Sequence, residues 1–204
     1  MRCCHRTLMT YPAIAAFGLI AGLLSGCIDT NVATMSSFRP EMRWDARPEA
    51  ASWTGLALAE VARHDGQLAS LVPGDIDLFC PEYENASLGD RRAFWVGLMS
   101  ATAKHESSFN PKASGGGGRY IGLMQISPST ARLAGCDARS SSTLKDGAEN
   151  LECAVRIMAP HVADDGMVAG NGNRGIGRDW GPFKSATNRK EIAAWTSQQA
   201  YCRA

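Results

Sequence analysis

Residues 90–106 read DRRAFWVGLMSATAKHE, and from Ala93 to Ala103 almost every side chain is apolar or small. The spacing predicts a helix. Phe94, Leu98, Ala101 and His105 fall on one stripe, and Trp95, Met99, Thr102 and Glu106 fall on the stripe beside it. A surface helix shows one apolar face, whereas a helix apolar on all sides must be enclosed by the rest of the chain. Asp90 sits where it favours the helix N-terminus, and Asn110-Pro111 stops the helix. The chain has 204 residues, 45% of them hydrophobic and 20% charged, which suits one globular domain built around this segment with some sequence to spare.

The remaining segments supply the enclosure. SWTGLALAEVARH, 52–64, reads as a helix with Trp53, Leu56, Ala57, Val61 and His64 near one face. Residues 71–83 are broken by Pro73, Gly74 and Pro81 and form a connection. KASGGGGRY is a loop, and IGLMQI is an apolar run too short to type by periodicity. Ser127-Pro128 makes an N-cap and first-turn pair for a helix to about Ala134, ended by Gly135. NLECAVRIMAPHVA, 150–163, is helical with Leu151, Val155 and Met158 at core spacing. A glycine-rich loop follows, and NRKEIAAWTSQQAYC forms the last helix. The expected class is mainly α, with long loops and few strands.

The spare sequence is N-terminal. Arg2 and Arg6 precede an apolar stretch from about Tyr11 to Leu24, which is short for a membrane span and has the layout of a secretory signal peptide. Leu24-Ser25-Gly26-Cys27 resembles a bacterial lipobox. That resemblance implies cleavage before Cys27, a lipid on Cys27, and a protein facing the periplasm. Asp29 rather than an acid at 28 points to the outer membrane. The expected organisation is signal peptide 1–26, tether 27–50 and folded domain 51–204. Cleavage removes two arginines and no acid, so the formal charge passes from +1 to −1, and neither value suits a nucleic-acid partner. Cys3 and Cys4 leave with the leader. Cys80, Cys136, Cys153 and Cys202 remain, an even number in an oxidising compartment. Of three possible pairings, Cys136–Cys153 clips a loop to the following helix and Cys80–Cys202 ties the tail to the start of the domain; these are the expected disulfides. No closely spaced Cys or His pair suggests a metal site.

The chemistry concentrates at the end of the central helix. Burial disfavours a carboxylate anion, and the negative end of a helix adds to the effect, so Glu106 has the address of a carboxyl kept protonated. A glycosidic oxygen needs such a proton donor. His105 lies about 100° around the helix from Glu106 and is read as structural. Conventional glycosidases use a second carboxylate. Asp137, Asp146, Glu149 and Glu152 are the candidates near the Cys136–Cys153 loop, and none stands in a motif.

Glu106-Ser107, Phe109, Asn110-Pro111, Gly122-Leu123-Met124-Gln125 and Asn150-Leu151 occur in this order. The series resembles the soluble lytic transglycosylase (SLT) domain, on a lysozyme-like fold of the goose-type kind, over roughly residues 90–160. The resemblance implies that Glu106 acts as acid and then as base. Ser107, Ser114, Gly122, Met124, Gln125 and Asn150 would orient groups or line sugar subsites, although Asn150 serves equally well as a plain N-cap. The implied substrate is the peptidoglycan glycan strand, cut between N-acetylmuramic acid and N-acetylglucosamine with ring closure to a 1,6-anhydro sugar. No cofactor or metal is called for. The membrane, through Cys27, is a second partner, and an envelope-spanning apparatus is a third candidate. Many members carry a later Ala-Tyr-Asn-Ala-Gly segment whose tyrosine reaches the catalytic acid. Here the region reads AGNGNRGIGRDWGPFKS, leaving Tyr120, Tyr201 and Trp180 as stand-ins and endo- against exo-action open. The alternatives are a muramidase helped by Glu149 or Asp137, and a non-catalytic wall-binding lipoprotein.

Overall fold

The computed structural model describes residues 39–203. The leader, Cys27 and the first part of the tether lie outside the described residues.

Helix α2, Leu88–Ser107, is the enclosed centre, and every residue from Ala93 to Ala103 on it is buried. Its cap is Ser87, whose hydroxyl accepts the Asp90 N–H at 3.1 Å and donates to the Asp90 carboxylate at 2.6 Å. Cap and first-turn acid thus satisfy each other. The two hydroxyls inside this apolar helix return to its own backbone, Ser100 to Gly97 O and Thr102 to Leu98 O, both at 2.8 Å. They are buried without loss because each finds a carbonyl one turn back.

Helix α1, Ala50–Arg63, packs against α2 and against α4, Gly147–Asp165. Helix α5, Ala186–Thr196, packs on α2 from another side. A hairpin of β1, Ser114–Gly115, and β2, Tyr120–Ile121, leads to the short helix α3, Pro128–Leu133. The hydroxyl of Ser127 caps α3 by accepting the Thr130 N–H. The apolar run IGLMQI therefore becomes a strand end, a turn and a bridge between Ile121 and Ile126.

Two boundaries differ from expectation. Met42 and Trp44 are in the core, Trp44 Nε1 donates to Thr54 Oγ1 at 3.0 Å, and the Arg43 N–H donates to Ser100 Oγ at 3.1 Å. The packed unit thus reaches back to the first described residues rather than starting at 51. Isolated large apolar residues in an irregular stretch give no periodicity, yet they bury as much area as helical ones. Helix α4 starts a turn before Asn150. Asp146 is the cap, its Oδ1 accepting the Ala148 and Glu149 N–H groups. Asn150 is therefore not the N-cap.

Both expected disulfides are formed, Cys80–Cys202 and Cys136–Cys153. The first closes 122 residues and fixes the Ala200–Cys202 turn beside the start of the domain.

Candidate active site

Glu106 occupies the last turn of α2 and is half-buried. Helix α2 ends abruptly because Ser108 and Phe109 both take left-handed conformations, φ 52° and 62°. Two consecutive non-glycine residues there are costly and persist only where the surroundings fix them, as around functional sites. The Asn110 side chain then accepts the Lys112 N–H and turns the chain away. Burial alone pushes the Glu106 carboxyl up to about 7; no charge or hydrogen bond shifts it. The site therefore holds a carboxyl that keeps its proton to a higher pH than a solvated glutamate does.

His105 points elsewhere. Its Nε2 lies 2.8 Å from Glu191 Oε2 on α5, and the same carboxylate takes Lys104 at 2.8 Å and the guanidinium of Arg43. This network locks the end of α2 to α5 and to the N-terminal segment.

The hairpin forms one wall of the cleft. A Cβ on Gly115 would sit 2.4 Å from Gln125 Oε1, so only glycine lets the Gln125 amide lie against β1. Gln125 itself is left-handed, φ 48°, and its Nε2 donates to Gly122 O at 2.9 Å. Behind it, Asn150 is fully buried. Its Nδ2 donates to Ile121 O and Leu144 O at 2.9 and 3.0 Å, and its Oδ1 accepts the Met124 N–H at 2.8 Å. A Cβ on Gly122, whose φ is 84°, would lie 2.3 Å from Asn150 Nδ2. Gly122, Met124 and Asn150 thus form the support beneath the cleft, and Asn150 is fully committed to backbone groups.

The opposite wall comes from the glycine-rich loop after α4, which is firmly held. Asp75 accepts the N–H groups of Val168, Ala169 and Gly170, and Asp165 takes the Gly175 N–H together with Arg174 and Arg178. The loop delivers Asp179 and Trp180. Trp180 Nε1 donates to Met124 O at 2.8 Å, which ties this wall to the support.

Glu106, Gly115, Tyr120, Gln125, Asp179 and Trp180 line a cleft of about 300 Å³, the scale of a small-ligand site. A recess of about 70 Å³ adjoins it, sharing Tyr120, Gln125, Asp179 and Trp180 and adding Ser127 and Thr130. A roomier cavity of about 550 Å³ lies near Leu58 and Ala93. Its charged residues are already engaged, Asp90 by Ser87 and Arg92 by Asp65.

Of the residues read from sequence, Glu106 and Gln125 line the cleft. Ser114 opens β1 beside Gly115 and is exposed. Ser107 turns its hydroxyl back to Ala103 O at 3.2 Å. Of the three stand-ins for the family tyrosine, Tyr120 and Trp180 are in the cleft. Tyr201 is buried against Gly97, with its hydroxyl donating to Glu41 O. The four candidate second carboxylates are elsewhere. Asp137 pairs with Arg156, Asp146 caps α4, and Glu149 borders a separate surface pocket. Glu152 lies close enough to Glu149 and Glu60 for their charges to act on it. The carboxylate that does reach the cleft is Asp179, which sequence reasoning missed. Its one sequence signal was an acid beside a tryptophan inside a glycine-rich loop.

Among the described residues no group of three or more His, Cys, Asp and Glu is placed to hold a metal ion.

The chain is similar in structure to the wild-type form 2 of Bd0314 DslA, with a TM-score of 0.72 at 26% identity over 81% of this chain and 99% of that one. A glutamate-to-glutamine mutant of DslA gives the same values. A second such mutant, at a different glutamate, gives 0.70 at 27% identity over 78% of this chain and 95% of that one. No curated protein sequence matches significantly. The mainly α, lysozyme-like fold implied by the motifs is the fold observed. The sequence model of the Transglycosylase SLT domain matches residues 85–193, more than half of the chain, and the protein belongs to that family.

Proposed function

We propose that the protein is a peptidoglycan lytic transglycosylase that cleaves the bond between N-acetylmuramic acid and N-acetylglucosamine, with Glu106 as its general acid and then its general base. The observation that carries this reading is a half-buried carboxyl at the end of the central helix, raised to about 7 by burial alone and lining a cleft of sugar-binding size. A protonated Glu106 gives its proton to the glycosidic oxygen as the bond to the muramoyl anomeric carbon breaks. The carboxylate left behind takes the proton of the substrate's own C6 hydroxyl as that oxygen bonds to the anomeric carbon. The products are a 1,6-anhydro end and a free N-acetylglucosamine end, and no water enters. Tyr120 and Trp180 present aromatic faces to the sugars, and Gln125 keeps its carbonyl oxygen for an acetamide N–H or a hydroxyl.

The hydrolytic alternative needs a base for water. Asp137 and Glu149, the helpers it called for, do not line the cleft. The test is release of soluble fragments from purified peptidoglycan by the wild-type protein and by Glu106→Gln. The reading requires release by the first and none by the second, with the fold of both intact by circular dichroism. Equal release, or equal absence of release, contradicts it.

The same reading includes a lipid anchor on Cys27 at the periplasmic face, in the outer membrane. The lipobox-like run and the pairing of all four domain cysteines support it, since structural disulfides belong to an oxidising compartment. Radiolabelled fatty acid incorporated by the wild type and lost in Cys27→Ala tests it.

A further inference from the structure

Asp179, partly open to solvent at the cleft, differs from the acids that serve as ties in this fold. Asp75, Asp165, Glu60 and Glu191 each hold two or more donors and act as structural ties. Among the described residues the Asp179 carboxylate, like that of Glu106, accepts no hydrogen bond; its near neighbour is His161 Nε2, 3.3 Å away on α4. His161 has no other polar engagement, because its Nδ1 is buried without a partner among the described residues. Asp179 also lies in the boundary shared by the cleft and its adjoining recess, together with Tyr120, Gln125 and Trp180. A sugar chain occupying both must meet it.

We propose that Asp179 is a second substrate-contacting carboxylate of this site, backed by His161, which stabilises the positive charge that develops on the muramoyl ring as Glu106 releases its proton. This rests on the transglycosylase reading above and adds a participant to it. Asp179 forms no covalent bond and moves no proton in this role. A fixed negative charge inside a partly desolvated cleft interacts with a developing cation far more strongly than it would in water. The charge must exist at the working pH. Burial raises the Asp179 carboxyl above its usual range, and His161 first, then Arg178 and Lys184, offset part of that rise and favour the anion. Glu106 shares the cleft and is protonated when the substrate binds, so it adds no like charge at that stage.

The test compares wild type, Asp179→Asn, Asp179→Glu and His161→Gln on purified peptidoglycan across pH 5 to 9, with fragment release, product mass and thermal melting recorded for each. Asp179→Asn keeps the shape and removes the charge. It should lower kcat roughly a hundredfold with little change in KM, at a melting temperature no lower than that of the wild type. Asp179→Glu should recover part of the rate. His161→Gln should move the acid limb of the rate profile upward, since Asp179 loses the partner that keeps it ionised. Wild-type kcat in Asp179→Asn beside a dead Glu106→Gln overturns this inference alone. Loss in Asp179→Asn of only a water-derived, reducing-end fraction makes Asp179 a base for water and also overturns it. No release by the wild type overturns both this inference and the transglycosylase reading. If Asp179→Asn does not fold, Asp179→Glu and His161→Gln decide the matter: wild-type rate profiles in both contradict the proposal.

Discussion

His105 Nε2 sits 2.8 Å from Glu191 Oε2, so of the adjacent pair His105 serves the scaffold while Glu106 lines the cleft. One residue bolts the end of α2 to α5, and the next faces the cleft. Arg43, Lys104 and His105 converge on the Glu191 carboxylate and hold it well below the usual glutamate range, with Arg43 the largest contributor. A carboxyl depressed in the folded state adds stability above its unfolded value and loses it as pH falls toward the folded value. Glu191→Gln should therefore lower the melting temperature at pH 7, and the gap from wild type should shrink steadily as the pH is lowered below about 4.5. A gap independent of pH contradicts this assignment.

Glu106 has the opposite sign. Its folded carboxyl is raised from 4.5 to about 7, so the folded state holds an extra proton between those values and loses relative stability as pH rises through them. Glu106→Gln should melt near wild type at pH 4 and progressively higher above it, with a plateau beyond pH 7 of up to ~3 kcal/mol. The wild-type rate should fall with increasing pH above about 7, because the acid form is the one that starts the reaction. Melting curves and rate profiles over the same buffers check both statements.

Asn150 is expected to matter through the fold. Truncation to alanine strands the buried Leu144 carbonyl and the Met124 N–H, and it removes one of the two donors to the Ile121 carbonyl, which keeps the Ile126 N–H. At roughly 1–3 kcal/mol for each stranded group, offset by relaxation, Asn150→Ala should cost about 3 kcal/mol or more in chemical denaturation. The enzyme that remains folded should bind glycan with a KM close to the wild-type value. A raised KM in fully folded Asn150→Ala would instead return Asn150 to the substrate-binding set.

The two disulfides should differ in weight. The Cys80–Cys202 bridge closes 122 residues and the Cys136–Cys153 bridge 17. Chain-entropy reasoning gives about 5 and 3 kcal/mol respectively. Replacing the first pair with alanines should lower the melting temperature by roughly 10 °C or more, and replacing the second should do so by less. The reverse order contradicts the chain-entropy account for this fold.

The parts of this fold that could be read from sequence were those with a period or a fixed offset. Helix α2 declared itself by apolar residues all round, α3 by Ser127-Pro128, and the disulfides by parity and position. Glu106, Met124 and Gln125 came with ordered motifs, but the motifs could not show which faced solvent. Met124 and Asn150 turned out to be the support behind Gln125. Trp44 joined the core from a stretch with no periodicity. Asp179 was hidden for a related reason: its position depends on Asp75 and Asp165 pinning a loop from a distance, and such long-range ties leave no local pattern.

In the proposed reaction Glu106 closes a ring rather than activating water. The most direct measurement is the mass of the muropeptides released from purified peptidoglycan by the wild-type protein in heavy-oxygen water. The account predicts muramoyl ends that are one water lighter than a reducing sugar and carry no heavy oxygen. Reducing muramoyl ends that have taken up heavy oxygen from the solvent would contradict it.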